Sequence, residues 1–138
     1  MYKTILLTLD GSATDRAIIE HIKLLAKLME SRVVLLHVVT SVPAKVYGPG
    51  AADKEVLDSQ AYLNQVCAEL AASGIKSSAE LAYGEPVKEI VNWVRQKGCD
   101  LVAMSTHGHQ FMADLVLGTT AIKVQHSVNV PVLMLKAK

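Results

Sequence analysis

At 138 residues and 14.9 kDa, the chain has room for one domain built around one core. Hydrophobic residues make up 51% and charged residues 20%, which excludes a disordered chain, and aromatics at 4% leave the packing to aliphatic side chains. With 14 Lys+Arg against 13 Asp+Glu the formal charge is +1, and no basic block is present, so nucleic acid and membrane surfaces are excluded as electrostatic partners.

The first apolar run, TILLTL over residues 4–9, ends in Asp10-Gly11-Ser12 and reads as a buried strand followed by a turn and a helix start. From Ala13 to Glu30, Ile18, Ile22, Leu25 and Met29 recur at the spacing of one helix face. RVVLLHVV, residues 32–39, has no alternation and predicts a strand covered on both sides. A Pro/Gly-rich loop over residues 40–53 follows, with Pro43, Gly48, Pro49 and Gly50, long enough to be a lid or a tolerated insertion. The next helix runs from about Lys54 to Ser73, with Val56, Leu63, Cys67 and Leu70 on one face and Gly74 placed to end it. A third strand is expected over residues 76–84. Pro86 then opens a helix whose face is Val87, Ile90, Val91 and Val94. DLVAMS forms the fourth strand, a last helix runs to about Ser127, and VPVLMLK closes the chain as the fifth strand.

This alternation implies parallel pairing through right-handed crossovers. The expected fold is α/β: a three-layer, doubly wound sandwich with a five-stranded parallel sheet and four helices, spanning residues 1–138 as one domain. The two cysteines, Cys67 and Cys99, lack the CxxC spacing of a redox or zinc site and read as buried small hydrophobes in a reducing compartment. The opening MYKTILLTLDGS has an apolar run shorter than that of a secretion signal, and no stretch reaches the length of a membrane helix, so a cytoplasmic protein is expected.

In such a sheet, ligands bind beyond the carboxyl ends of the strands, where the strand order reverses. That rule selects Thr8, Leu9 and Asp10 after strand one, Val38 after strand two, and the segment from Ser105 to His109 after strand four. Gly108 would let the backbone approach an anion closely. Gly118-Thr119-Thr120 would open the last helix with free N–H groups and hydroxyls. The nucleotide fingerprints GxxxxGK[ST] and GxGxxG are absent, so standard kinase and dehydrogenase readings lose their support. His107 and His109 form an HxH pair with no third ligand close in sequence, and no metal site is assigned to them.

The stretch STHGHQFMADLVLGTT resembles the universal stress protein pattern G-x2-G-x9-G-[ST], with Gly108, Gly118 and Thr119 in place and Ser105 standing where the family has its first glycine. The likeness extends over the whole chain, through LDGS, LLHVV, GEP, DLVAMSTHG and VPVLML. It implies the strand order 3-2-1-4-5 and, since members with the full glycine pattern bind ATP, an adenine nucleotide as ligand (ATP, ADP or AMP), with or without Mg²⁺. By position, Asp10 with Thr8 and Leu9 would meet the ribose or adenine, and Val38 would bond adenine through its backbone. Met104 and Ser105 would lie beside the ribose, while Gly108, His109, Gly118, Thr119 and Thr120 would hold the phosphates.

The Ser105 side chain adds bulk, and a positive φ there would cost on the order of 1 kcal/mol. No Lys or Arg lies between Gly98 and Ile122, so backbone N–H groups, the helix dipole and Mg²⁺ would do the neutralising. Asp10 has a purely structural alternative: capping the first helix together with Ser12. No catalytic constellation can be argued from spacing, so hydrolysis would be slow and incidental at most. The resemblance therefore implies a cytoplasmic, nucleotide-responsive regulatory module in stress response that acts on a protein client. A nucleotide-free dimeric scaffold of the same fold and a slow ATPase are the alternatives. Residues from Val130 to Leu135 are apolar on both faces at a sheet edge, and family members pair that edge, so a homodimer through this strand is expected.

Overall fold

Strands and helices alternate in the computed structural model, which describes residues 1–39, 49–106 and 113–136, with side chains described for all of these but 49–53 and 113–119. In chain order the elements are β1 (Thr4–Thr8), α1 (Asp15–Met29), β2 (Arg32–Val39), α2 (Pro49–Ala72), β3 (Ser77–Tyr83), α3 (Pro86–Lys97), β4 (Leu101–Thr106), α4 (Ala113–Ser127) and β5 (Val132–Lys136). The strands form one parallel sheet in the order β3-β2-β1-β4-β5, so β1 is central and the chain reverses its direction of travel between β1 and β4. The expected fold class and strand order are both present.

The unbroken apolar runs follow from burial on two faces. Ile5, Leu7, Val33, Leu35, Leu101 and Ala103 point to one side, where Ile18, Ile22 and Ala26 of α1 and Leu63, Val66 and Leu70 of α2 cover them. Leu6, Val34, Leu36, Val102 and Met104 point to the other, against Ile90 and Val94 of α3 and Ala121 and Val124 of α4. Adjacent residues of one strand thus belong to different cores, which is why period-2 alternation is missing from the sequence.

Helix boundaries differ from expectation at three places. α1 begins at Asp15, two residues after Ala13, because residues 11–14 form a turn. α2 begins at Pro49, whose fixed φ suits a first helical turn, so part of the expected loop is helix. The remainder of that loop, including Pro43 and Gly48, lies outside the described residues. α4 begins at Ala113, so Gly118, Thr119 and Thr120 sit within it and do not form its first turn.

α3 starts as its sequence predicts. Pro86 occupies the first turn, and the Glu85 carboxylate accepts from the N–H groups of Val87 at 3.1 Å and Lys88 at 2.9 Å, capping two otherwise unbonded donors. Glu85→Ala removes this cap. It is expected to lower stability by about 1 kcal/mol, read as a fall of about 3–4 °C in the calorimetric midpoint.

Candidate functional site

The carboxyl end of β1 is shaped by a turn that leaves the sheet. Gly11 holds φ +86°, a conformation that side chains with a Cβ rarely adopt, and this redirects the chain between β1 and α1. The Asp10 carboxylate closes the turn by accepting from the Ser12 N–H at 2.8 Å and the Ser12 hydroxyl at 2.6 Å. Asp10 therefore does not cap α1 with Ser12: the helix N-cap is Thr14, which makes no side-chain cap bond.

Beneath the turn lies a charged residue that sequence reasoning missed. Asp15 is 2% exposed, and its Oδ2 accepts from the Gly11 N–H at 2.9 Å, the Asp10 N–H at 3.1 Å and the Tyr62 hydroxyl at 2.8 Å. Oδ1 stands 3.3 Å from the same Asp10 nitrogen. In the sequence, Asp15 looks like any acidic residue in a first helical turn, where the dipole favours it. Its burial depends on Tyr62, 47 positions away on α2, and no local signal reveals that.

Burial, and then the neighbouring Asp10 charge, push the Asp15 carboxyl from 3.8 up to about 6, against the opposing pull of its hydrogen bonds. The Tyr62 phenol is pushed upward by burial and by its bond to Asp15.

His37 is the second residue missed, although an imidazole in an otherwise apolar strand was a legible sign of a buried polar contact. Its Nδ1 lies 2.8 Å from the Leu9 carbonyl oxygen. A carbonyl only accepts, so Nδ1 carries the proton, and Nε2 is the acceptor in the neutral ring. The Leu9 N–H meanwhile donates to the Leu36 carbonyl at 2.9 Å, so both backbone groups of Leu9 are held.

These residues border a cavity of about 130 Å³ at the point where the strand order reverses. Thr8, Leu9 and Asp10 enter from β1 and its turn, Val38 from β2, Met104 and Ser105 from β4, and Thr120 from α4. Seven of the eleven expected site residues thus converge on one space. Leu36, Pro86 and Ile90 add apolar wall, and Asp15 and His37 add polar groups at its edge. Of the remaining four, Gly108 and His109 lie outside the described residues, as does His107, and Gly118 and Thr119 are described only as part of the α4 backbone.

Ser105 does not carry the strain considered for it. Among the described residues Glu30 is the one non-glycine with positive φ, and Ser105 lies in the extended run of β4, paired with Leu135. Its Oγ is buried and has no hydrogen-bond partner among the described residues. A second cavity, of about 550 Å³, adjoins the first through Asp10 and His37 and extends to Tyr62, Ser59 and Asp58 of α2. The cysteines offer no nucleophile here: Cys67 packs on the α2 side of the core, and burial, with Asp100 nearby, pushes the Cys99 thiol up to about 11.

The raised Asp15 value has a definite consequence for stability. Between the unfolded value of 3.8 and the folded value of about 6, the native state binds more protons than the unfolded state, so stability falls as pH rises through that window. Asp15→Asn removes the titrating group. The stability of the variant relative to the parent is expected to improve by about 2 kcal/mol between pH 4.5 and pH 7.5 in urea unfolding.

The sequence matches the Universal stress protein family over residues 1–136. Universal stress protein MJ0577 of Methanocaldococcus jannaschii is 28% identical over 157 residues, covering 100% of this chain and 97% of that protein. A solved structure of MJ0577 superposes with a TM-score of 0.85 at 29% identity, covering 100% of this chain and 98% of the other. The same fold occurs in a universal stress protein solved in complex with cAMP, with a TM-score of 0.77 at 17% identity and 99% of each chain covered. It occurs again in an Archaeoglobus fulgidus universal stress protein solved with dAMP, with a TM-score of 0.71 at 18% identity over 96% of this chain and 97% of that one. A family match over nearly the whole length, with the strand order and the cavity at the reversal point, makes this chain a member of the universal stress protein family.

Proposed function

We propose that the chain binds an adenine nucleotide in the cavity at the carboxyl ends of β1, β2 and β4, and that the bound state regulates its interaction with a protein client. The carrying observation is the convergence of Thr8, Leu9, Asp10, Val38, Met104, Ser105 and Thr120 on one mostly apolar slot with polar groups at its edge. Backbone pairing supports the placement of the base. Leu36 bonds toward β1 and Val39 bonds toward Gly84, so the alternation turns the backbone of Val38 to the β1 side, beyond the last paired residues Thr8 and Leu36. An adenine edge fits there as a further strand-like partner. The buried Ser105 Oγ, which has no partner among the described residues, gains one when a ribose hydroxyl is close.

Two relatives of this fold have been solved with cAMP and dAMP, which makes an adenine nucleotide the favoured ligand class. ATP is the form implied by the glycine pattern. Gly108, Gly118 and Thr119 are the residues assigned to its phosphates, with any Mg²⁺ arriving on the nucleotide. No constellation for hydrolysis accompanies them among the described residues, so the role assigned is binding, carried out in the cytoplasm. Asp10→Ala opens the turn at the ribose side and is expected to weaken ATP binding about tenfold or more in titration calorimetry, with the oligomeric state unchanged. Equal affinity in parent and variant would remove the site assignment.

The assembly proposed is a homodimer through β5. Among the described residues this strand pairs only with β4, Met134 is 40% exposed on it, and Val132, Leu133 and Leu135 are half-buried. A two-fold copy would supply bonds to its open edge. Sedimentation at micromolar concentration is expected to give a dimer for the parent and a monomer for Met134→Lys, whose substitution touches an exposed position and leaves the fold intact.

A further inference from the structure

Asp15 is costly where it stands. It is the one charged side chain buried among the described residues, and its ionised form is disfavoured by its surroundings, yet three donors from two separate segments are aimed at it. A carboxylate kept against an adverse environment marks a functional constraint. What it holds is specific: the consecutive N–H groups of Asp10 and Gly11, which fix the turn carrying the Asp10 carboxylate. The third donor, Tyr62, lies on α2 and borders the second cavity, so the same carboxylate ties α2 to the turn.

We infer that Asp15, in its anionic form, is the positioning residue of the nucleotide site, setting the Asp10-Gly11 turn for ligand and coupling α2 to it through Tyr62. The inference rests on the reading that a nucleotide binds at Asp10. Charge-assisted hydrogen bonds are roughly twice as strong as neutral ones, so protonating Asp15 slackens the turn without removing its shape. Ligand affinity then depends on pH, highest where Asp15 is ionised and falling as pH drops through about 6.

Among the described residues the groups facing Asp15 are few. Asp10 approaches from the turn and raises its proton affinity, and Tyr62 donates to it from α2. Arg16 follows it on α1 and is itself paired with Glu69 at 2.7 Å. His37 of β2 borders the same cavity, while Lys54, Glu55 and Asp58 of α2 line the adjoining one. His37 is present in parent and variant alike, so comparing the two assigns the dependence to Asp15.

The test uses the full chain and cAMP, a phosphodiester with no second phosphate ionisation near pH 6, so that the ligand's charge stays constant. For the parent, affinity is expected to be about tenfold weaker at pH 5 than at pH 7.5. Asp15→Asn, which keeps the shape, is expected to bind about tenfold more weakly than the parent at pH 7.5, with little change down to pH 5, while being more stable than the parent at pH 7.5. A variant that is both more stable and a weaker binder separates positioning from mere structural support. Tyr62→Phe is expected to fall between the two.

Parent-like affinity and pH dependence in Asp15→Asn would overturn the inference while leaving the nucleotide reading intact. A parent that binds no adenine nucleotide at any pH would overturn that reading, and an NMR titration then decides the rest. The amide resonances of Asp10 and Gly11 are expected to shift with a midpoint near pH 6 in the parent and not in Asp15→Asn, and amides that do not respond in the parent would overturn the positioning role itself.

Discussion

A strand enclosed on four sides sets the terms for this molecule. β1 has β2 and β4 as hydrogen-bonded neighbours and a helical layer above and below, and Ile5, Leu6 and Leu7 are fully buried. Such a strand can carry no polar side chain along its length without an unmatched desolvation cost. Polar function is therefore pushed to its carboxyl end, where the neighbours diverge and the chain must turn. Thr8, Asp10, His37 and Ser105 all stand there, in a core otherwise built from aliphatic residues. The cavity is a consequence of the topology, and the residues at its rim are those the topology permits to be polar.

That end of the sheet also bears most of the electrostatic strain. Asp15 is buried with its charged form disfavoured, and the Ser105 Oγ is buried without a partner among the described residues. An apolar side chain at Ser105, or an uncharged isostere at Asp15, would remove an unfavourable contribution. Elsewhere Lys23 and Arg16 gather around Glu69, where each charge has an opposite one beside it. Ser78 on β3 and Glu55 on α2 also bury an unpartnered oxygen, so what sets this end of the sheet apart is the buried carboxylate of Asp15.

Much of this was legible in the sequence, for definite physical reasons. The apolar run from Val33 to Leu36 is unambiguous because burial on both faces leaves those four positions without a polar residue to confuse the period, and Glu85-Pro86 marks a helix start by local chemistry alone. The placement of Thr8, Asp10, Val38 and Ser105 followed from the rule that binding occurs at strand ends. Other features depend on contacts distant in sequence. Asp15 is bonded by Tyr62 from α2, and α1 starts after a turn that the Asp10 carboxylate closes on Ser12. The backbone conformation at Ser105 is set by pairing with Leu135, which makes serine unstrained at a position where the family pattern has glycine.

The two edges of the sheet are unequal, and the difference bears on assembly. β3 carries Glu80, held at 3.4 Å by Lys97, which also lies 5.5 Å over the ring of Trp93, so a charged pair and an aromatic side chain stand beside that edge. A second copy approaching β3 would have to displace or bury those charges. β5 presents Val132, Leu133, Met134 and Leu135 in succession, with Lys136 at its end. Its inward residues already pack on both cores through Leu133 and Leu135 on one side and Val132 on the other. A partner strand added there would extend both layers without desolvating a charge before Lys136. The two edges of one sheet thus differ in charge, β3 flanked by an ion pair and β5 apolar up to Lys136.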